Sequence, residues 1–269
     1  MDKRRKKRIQ GSWAGKMAKP SNKTATSQEE QASGSNDPSE KKFVFQGNVV
    51  NTIRQAPPVK TLTERGTYEI STGPSGLAII DLYPSFLDGD ETEWMFEQLQ
   101  AEIPWEEKDI KIKGEFHKQP RLTAWFGEFP YTYSGLTLRP FQWSPILNIL
   151  REKIAKATGE TFNSMLANLY RHNKDSVDWH ADDEPSLGVN PTIASLSFGD
   201  SRVFELRKNP LNEGDDYSLM QHIKVPLNCG SLLVMRGSVQ EDWQHRVPKE
   251  YHDRGPRINL TFRNISPVK

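Results

Sequence analysis

His180 and Asp182 stand two positions apart in NKDSVDWHADDE, and His245 follows far downstream in DWQHRVP. Two imidazoles and one carboxylate, spaced as H-x-D and then a distant H, are the donor set of a facial triad for non-haem Fe(II). Such a triad leaves coordination positions open for dioxygen and a co-substrate. In a strand, residues i and i+2 share a face, so both side chains would aim the same way, and Ala181 need only be small. With six histidines in the chain an H-x-D arises easily by chance, so its neighbours decide. The flanks WH and DDE are polar where a core strand would be apolar. Further on, RINLTFR alternates Arg257, Asn259, Thr261 and Arg263 with Ile258, Leu260 and Phe262. Two buried arginines are costly unless they meet anions, and Asp182 with a dicarboxylate co-substrate would serve. On a solvent face they would need no such partner. Both placements are open to the sequence.

The elements that must hold these residues are legible from pattern. TYEIS and LAIIDLY read as strands bounded by Gly and Pro. Asp90 to Ile103 reads as a helix, with Met95, Leu99 and Ile103 on one stripe and Pro104 stopping it. In a second helix Ser144 caps, Pro145 takes the first position, Ile146, Ile149, Leu150 and Ile154 form one face, and Gly159 ends it. After Gly159 come about eight short strand-like runs separated by Gly, Pro and Asn turns. Helices followed by that many strands predict a mainly β, α+β fold. The expected core is a double-stranded β-helix, or jelly roll, with the helices packed on one sheet. Its mouth is a natural place for a metal and a ligand.

Composition bounds the rest. The net charge of +1 hides an asymmetry: residues 1–42 carry +6, and the remainder −5. A polyanion would therefore be met by the tail or by a local basic face. The tail, 1–42, is polar and expected to be disordered. Its KRRKKR cluster suits a nuclear-import signal, a phosphate-grasping arm or a merely soluble tail. Residues 43–63 read as a connector, and 64–269 as the catalytic domain. Cys229 is the single cysteine, which excludes a disulfide framework within the chain and fits a reducing compartment. No apolar run approaches the length of a membrane span.

The segments HADDE, DWQHRVPKEYH, PRINLTFR, ANLYR, PRLTAWFGE, DSVDWH, DEPSLG and IASLSFG together resemble the AlkB family of Fe(II)- and 2-oxoglutarate-dependent nucleic-acid demethylases. The likeness runs from about Phe43 to the C-terminus, with QGSWA suggestive in the tail, and points to a branch that prefers single strands. It implies Fe(II) on His180, Asp182 and His245, with 2-oxoglutarate and O2 as co-substrates and ascorbate as reductant in vitro. Arg257 resembles the arginine that holds the distal carboxylate of 2-oxoglutarate, and Arg263 the one nearer the metal. Asn168, Tyr170 and Asn259 match further co-substrate contacts. Asp183 and Glu184 fall where the family reads a damaged base. Tyr133, with Trp125 and Tyr131 beside it, falls in a nucleotide-recognition lid at about 105–135, to which Arg121, Lys111 and Lys113 also belong.

The implied reaction is oxidative removal of N-methyl groups from 1-methyladenine and 3-methylcytosine in single-stranded DNA and RNA, with release of formaldehyde and succinate. Both bases are cationic when methylated, so a buried carboxylate would favour the lesion over the normal base. The segment KDIKIKGEFHKQ shows lysines and no large apolar tip, which suits phosphates of strands already open. A protein-modifying oxygenase and a binding module without catalysis are the alternatives, although an intact triad and both arginines disfavour the second. The same resemblance implies a monomer in nucleus and cytoplasm, no membrane, and a helicase or repair complex as partner.

Overall fold

A computed structural model describes residues 56–267 apart from 113–114, 134–135, 211 and 213–215; the side chains of 111, 112 and 133 also lie outside the description. The basic tail and most of the connector therefore lie outside the described residues. So do the side chains of three lid candidates, Lys111, Lys113 and Tyr133.

The chain opens with β1 (Lys60–Thr61), β2 (Gly66–Gly73), β3 (Gly76–Tyr83) and helix α1 (Gly89–Glu102). Then come β4 (Asp109–Ile112), β5 (Glu115–Lys118), β6 (Leu122–Gly127), β7 (Tyr131–Tyr133), β8 (Leu136–Leu138) and helix α2 (Pro145–Thr158). Next are β9 (Ser164–Tyr170), β10 (Val177–His180), β11 (Ile193–Gly199), β12 (Arg202–Lys208) and β13 (His222–Leu227). Last are β14 (Leu232–Gly237), the one-turn α3 (Val239–Asp242), β15 (Trp243–Val247) and β16 (Arg257–Arg263). Eight strands follow α2, in the segments where the sequence pattern placed about eight runs.

Seven strands form one sheet in the order β2-β3-β14-β11-β16-β9-β6, and five form another in the order β1-β13-β12-β15-β10. The hairpins β4–β5 and β7–β8 stand apart from both. Strand β1, inside the expected connector, pairs in parallel with β13, so the smaller sheet begins there.

Two apolar layers hold this arrangement. Met95 and Leu99 of α1 and Leu147, Leu150 and Ile154 of α2 join Ala167, Leu196, Val234, Leu260 and Phe262 of the larger sheet in one cluster. The helices thus pack on one sheet, as their single stripes require. A second cluster combines Ile80, Leu82, Leu233 and Met235 of the larger sheet with Leu206, Ile223, Val225 and Trp243 of the smaller one. Helix α2 is bounded as its sequence signals predict. Ser144 Oγ accepts from Leu147 N at 3.5 Å, Pro145 opens the first turn, and Gly159 closes the last at φ 75°.

Strand β16 is buried on both faces. Ile258, Leu260 and Phe262 enter the helix-side cluster. Period-two alternation then sends Arg257, Asn259, Thr261 and Arg263 to the opposite face. That face lines an internal cavity, which settles the orientation the sequence left open.

Candidate active site

His180 and His245 face each other across adjacent antiparallel strands, β10 and β15. Their ring centroids lie 4.2 Å apart. Asp182 does not share the strand: β10 ends at His180, so the same-face argument reaches only the first ligand. A loop brings the carboxylate in instead. One ligand atom from each of His180, Asp182 and His245 lies within 4.8 Å of the other two, close enough for one ion to bridge all three.

Hydrogen bonds fix this loop. Gln240 Oε1 in α3 accepts from Asp182 N at 2.9 Å, and Gln240 itself is buried. Arg263 Nη2 donates to Asp182 Oδ2 at 3.2 Å. His180 Nδ1 sits 2.7 Å from the carbonyl of Asp178, which can only accept, so Nδ1 carries the proton. Nε2, 4.0 Å from Asp182 Oδ1, is left as the ligating atom.

Electrostatics favour the ligating protonation states. Burial lowers the pKa of His180, and burial together with the neighbouring His180 pushes His245 down to about 3. Both rings are then neutral, as metal ligation requires. Burial opposes charge on Asp182, but the Arg263 guanidinium beside it outweighs burial and holds the carboxyl below its usual range. For Arg263, burial is outweighed by Asp182 and the Tyr131 and Glu184 groups, so its pKa is raised.

Behind the triad the cavity becomes cationic. Arg257 is 1% exposed and donates from Nη2 to Ser197 Oγ at 2.9 Å. Its Nε and Nη1 have no hydrogen-bond partner among the described residues. Burial lowers its pKa to about 10, so it stays charged at neutral pH. Buried guanidinium donors without acceptors are costly, and a carboxylate would satisfy them. Tyr170 packs its ring 5.3 Å from the Arg257 guanidinium, and Arg202 lies 5.6 Å from the same ring. Asn259 donates to Ser195 Oγ at 2.8 Å and accepts from Thr261 at 3.0 Å. Asn168 accepts from Arg121 Nε at 2.9 Å, joining a co-substrate candidate to a substrate candidate. These residues fit an Fe(II) ion and a dicarboxylate beside it.

The other candidates separate. Glu184 lines the cavity, with Oε2 buried and without a hydrogen-bond partner among the described residues. Burial and then Asp182 raise its pKa to about 7. Asp183 is not among the residues that line the cavity. Tyr131 does line it, but is 2% exposed and takes a hydrogen bond from Arg263 Nη1 at 3.0 Å, which ties its hydroxyl to the metal side. Trp125 is 1% exposed behind Tyr131, stacked on it at 4.5 Å, with its indole N–H on the Phe129 carbonyl. That is core packing, in an apolar stretch. The β4–β5 hairpin also differs from expectation. Phe116, opposite Lys111 and next to the final pair Ile112–Glu115, is 73% exposed, so the hairpin does carry a large apolar side chain near its tip.

Gln240, Ser195, Ser197 and Arg202 were not singled out by the sequence. Serines at alternate positions of IASLSFG carry a weak signal, polar groups spaced by two inside an apolar strand. Gln240 in SVQEDW carries none.

A sequence profile of the 2OG-Fe(II) oxygenase superfamily matches residues 80–263. Alpha-ketoglutarate-dependent dioxygenase alkB homolog 3 of Homo sapiens is 48% identical over 279 residues, covering 99% of this chain and 97% of its own length. The Mus musculus protein of that name is 46% identical over 278 residues, with 99% and 97% coverage. DNA oxidative demethylase ALKBH2 of Homo sapiens is 35% identical over 184 residues, 66% of this chain and 70% of its own. With a His-Asp-His triad beside a buried arginine, this chain belongs to the 2OG-Fe(II) oxygenase superfamily and, within it, to the AlkB homologues, as a dioxygenase using Fe(II), 2-oxoglutarate and O2.

Proposed function

We propose that this dioxygenase removes N-methyl groups from cationic methylated bases, 1-methyladenine and 3-methylcytosine, in single-stranded DNA and RNA. The observation that carries the reading is Glu184: a buried carboxylate with an unpartnered oxygen, in the same cavity as the triad. A cationic ring entering there would pair with it, and a neutral normal base would not. The relatives' names, alkB homolog 3 and DNA oxidative demethylase, support nucleic acid as the substrate class.

When bound, iron and 2-oxoglutarate supply the oxidising chemistry: one oxygen atom enters succinate, carbon dioxide leaves, and the other hydroxylates the N-methyl group. The chain's residues do the placing. His180, Asp182 and His245 would hold the ion, with the proton kept on His180 Nδ1 by the Asp178 carbonyl. Arg257, its charge retained and two donor atoms unpartnered, would take the far carboxylate of the co-substrate. Arg263 keeps Asp182 ionised and oriented. Arg121, buried at the cavity wall, and Glu184 would border the base. The hydroxymethyl base then loses formaldehyde without further help from the protein.

Formaldehyde release from a single-stranded oligonucleotide carrying 3-methylcytosine tests the reading. Equal release from a methylated histone peptide would shift it to a protein substrate.

A further inference from the structure

Two loops at one edge of the cavity have no part in the chemistry described. One joins β9 to β10 (171–176), and the other joins β15 to β16 (248–256). Tyr251 in the second is 90% exposed, and its ring meets the His252 ring edge-on at 5.5 Å. The loop that carries it is held by hydrogen bonds. Asn173 Nδ2 donates to the carbonyls of Glu250 and Tyr251 at 3.3 and 3.4 Å, and Glu250 N donates to the Asn173 carbonyl at 2.9 Å. Arg202 and Arg254 hold the Glu250 carboxylate.

The same loops present charge. Lys174 and Lys249 are exposed, and among the described residues neither is in an ion pair. Lys174 Nζ instead donates to the Glu250 carbonyl at 3.4 Å, beside the tyrosine. The acids nearby are largely spent: Asp175 is buried on Arg171 and Glu250 on two arginines, which leaves Asp253 exposed. The loops are also continuous with the cavity. Val177 and Val247, paired across β10 and β15, line it, and Ser176 bonds the Pro120 carbonyl beside cavity-lining Gln119 and Arg121. Tyr251 stands four positions after Val247, at most about 14 Å of chain. That is no more than about four stacked nucleotides at ~3.4 Å each.

We propose that Tyr251, flanked by Lys174 and Lys249, is a stacking platform for a flanking nucleotide of the strand whose methylated base occupies the cavity. An exposed ring on a hydrogen-bonded loop beside exposed lysines is the combination that binds single strands without reading their sequence. The inference rests on the nucleic-acid reading above.

The test is equilibrium binding of a fluorescein-labelled single-stranded oligonucleotide with one 3-methylcytosine to full-length protein loaded with Mn(II) and 2-oxoglutarate. Alongside it, turnover is measured on that oligonucleotide and on a methylated trinucleotide. Tyr251→Ala should weaken oligonucleotide binding ~10-fold, Tyr251→Phe should restore it, and turnover of the trinucleotide should stay at the wild-type rate. Joint replacement of Lys174 and Lys249 by Ala should reduce the slope of log affinity against log salt by about 1.4, two single-strand phosphate contacts. Wild-type affinity in Tyr251→Ala overturns the platform while leaving the demethylase intact. Wild-type protein that neither binds nor demethylates any oligonucleotide overturns the proposed function, and the platform with it.

Discussion

Asp182 is held by groups that the H-x-D pattern does not contain: Gln240 on its backbone N–H and Arg263 on its carboxylate. Gln240→Met removes the acceptor while keeping the volume. It should weaken Mn(II) binding ~10–100-fold, as loss of a ligand's supporting hydrogen bond does elsewhere; an unchanged Mn(II) titration would remove Gln240 from the site. Glu184→Gln tests the other side of the cavity. Hydrogen bonds to charged groups contribute about 1.5–3 kcal/mol, so kcat/KM on 3-methylcytosine should fall ~10–100-fold. Succinate formed without substrate should not change. The same loss in Asp183→Asn but not in Glu184→Gln would reverse the assignment, because only Glu184 lines the cavity. The triad itself was legible through its company, since polar flanks and a distant His245 lifted an H-x-D that arises easily by chance. Gln240 was not, since a glutamine in a one-turn helix looks like any surface residue until the fold brings it to the loop.

At the scale of elements, the loop from β9 to β10 leads into the strand that ends at His180. Asp175 anchors it, accepting from Arg171 N and Nε at 2.9 and 2.8 Å and from Nη2 at 3.1 Å. Burial opposes the charge on Asp175, but these Arg171 bonds outweigh it and lower its pKa. A depressed folded-state pKa means the stabilisation is full above the unfolded value of about 3.9 and is lost as pH falls through the folded value. Asp175→Asn should therefore lower stability by about 2 kcal/mol at pH 7. It should also flatten the acid limb of a pH–stability curve below about pH 4. An acid limb identical to the wild type's would contradict that role. Gly237 poses a backbone test. It has φ 62°, and a Cβ there would meet the Leu77 carbonyl at 2.0 Å, at the turn that leads into α3. Gly237→Ala should destabilise the fold and weaken metal binding through Gln240, read by thermal unfolding and Mn(II) titration together. The bounds of helix α2 were legible to the residue, because Ser144, Pro145 and Gly159 are local signals that act through local backbone geometry, but its face was not: Ile149 is exposed and Leu147 is buried instead. The end of β10 was not. The change from strand to loop after His180 is imposed by Gln240 and Arg263, both distant in sequence.

For the whole molecule, the alternation in RINLTFR predicted more than any other pattern. The sequence left open whether its arginines faced in, and packing settled it: Ile258, Leu260 and Phe262 are claimed by the helix-side core, so Arg257 and Arg263 turn to the cavity. The jelly-roll topology followed from counting strands, while sheet order depends on contacts between segments far apart. The hairpin was misread in one respect, for Phe116 is exposed beside its tip. The most direct test of the account is to measure formaldehyde and succinate together. Purified protein would receive Fe(II), ascorbate, 2-oxoglutarate and a single-stranded 3-methylcytosine oligonucleotide. The account predicts both products in equal amounts, with less of each from the matched duplex. Succinate without formaldehyde would leave the iron site standing and contradict the proposed substrate.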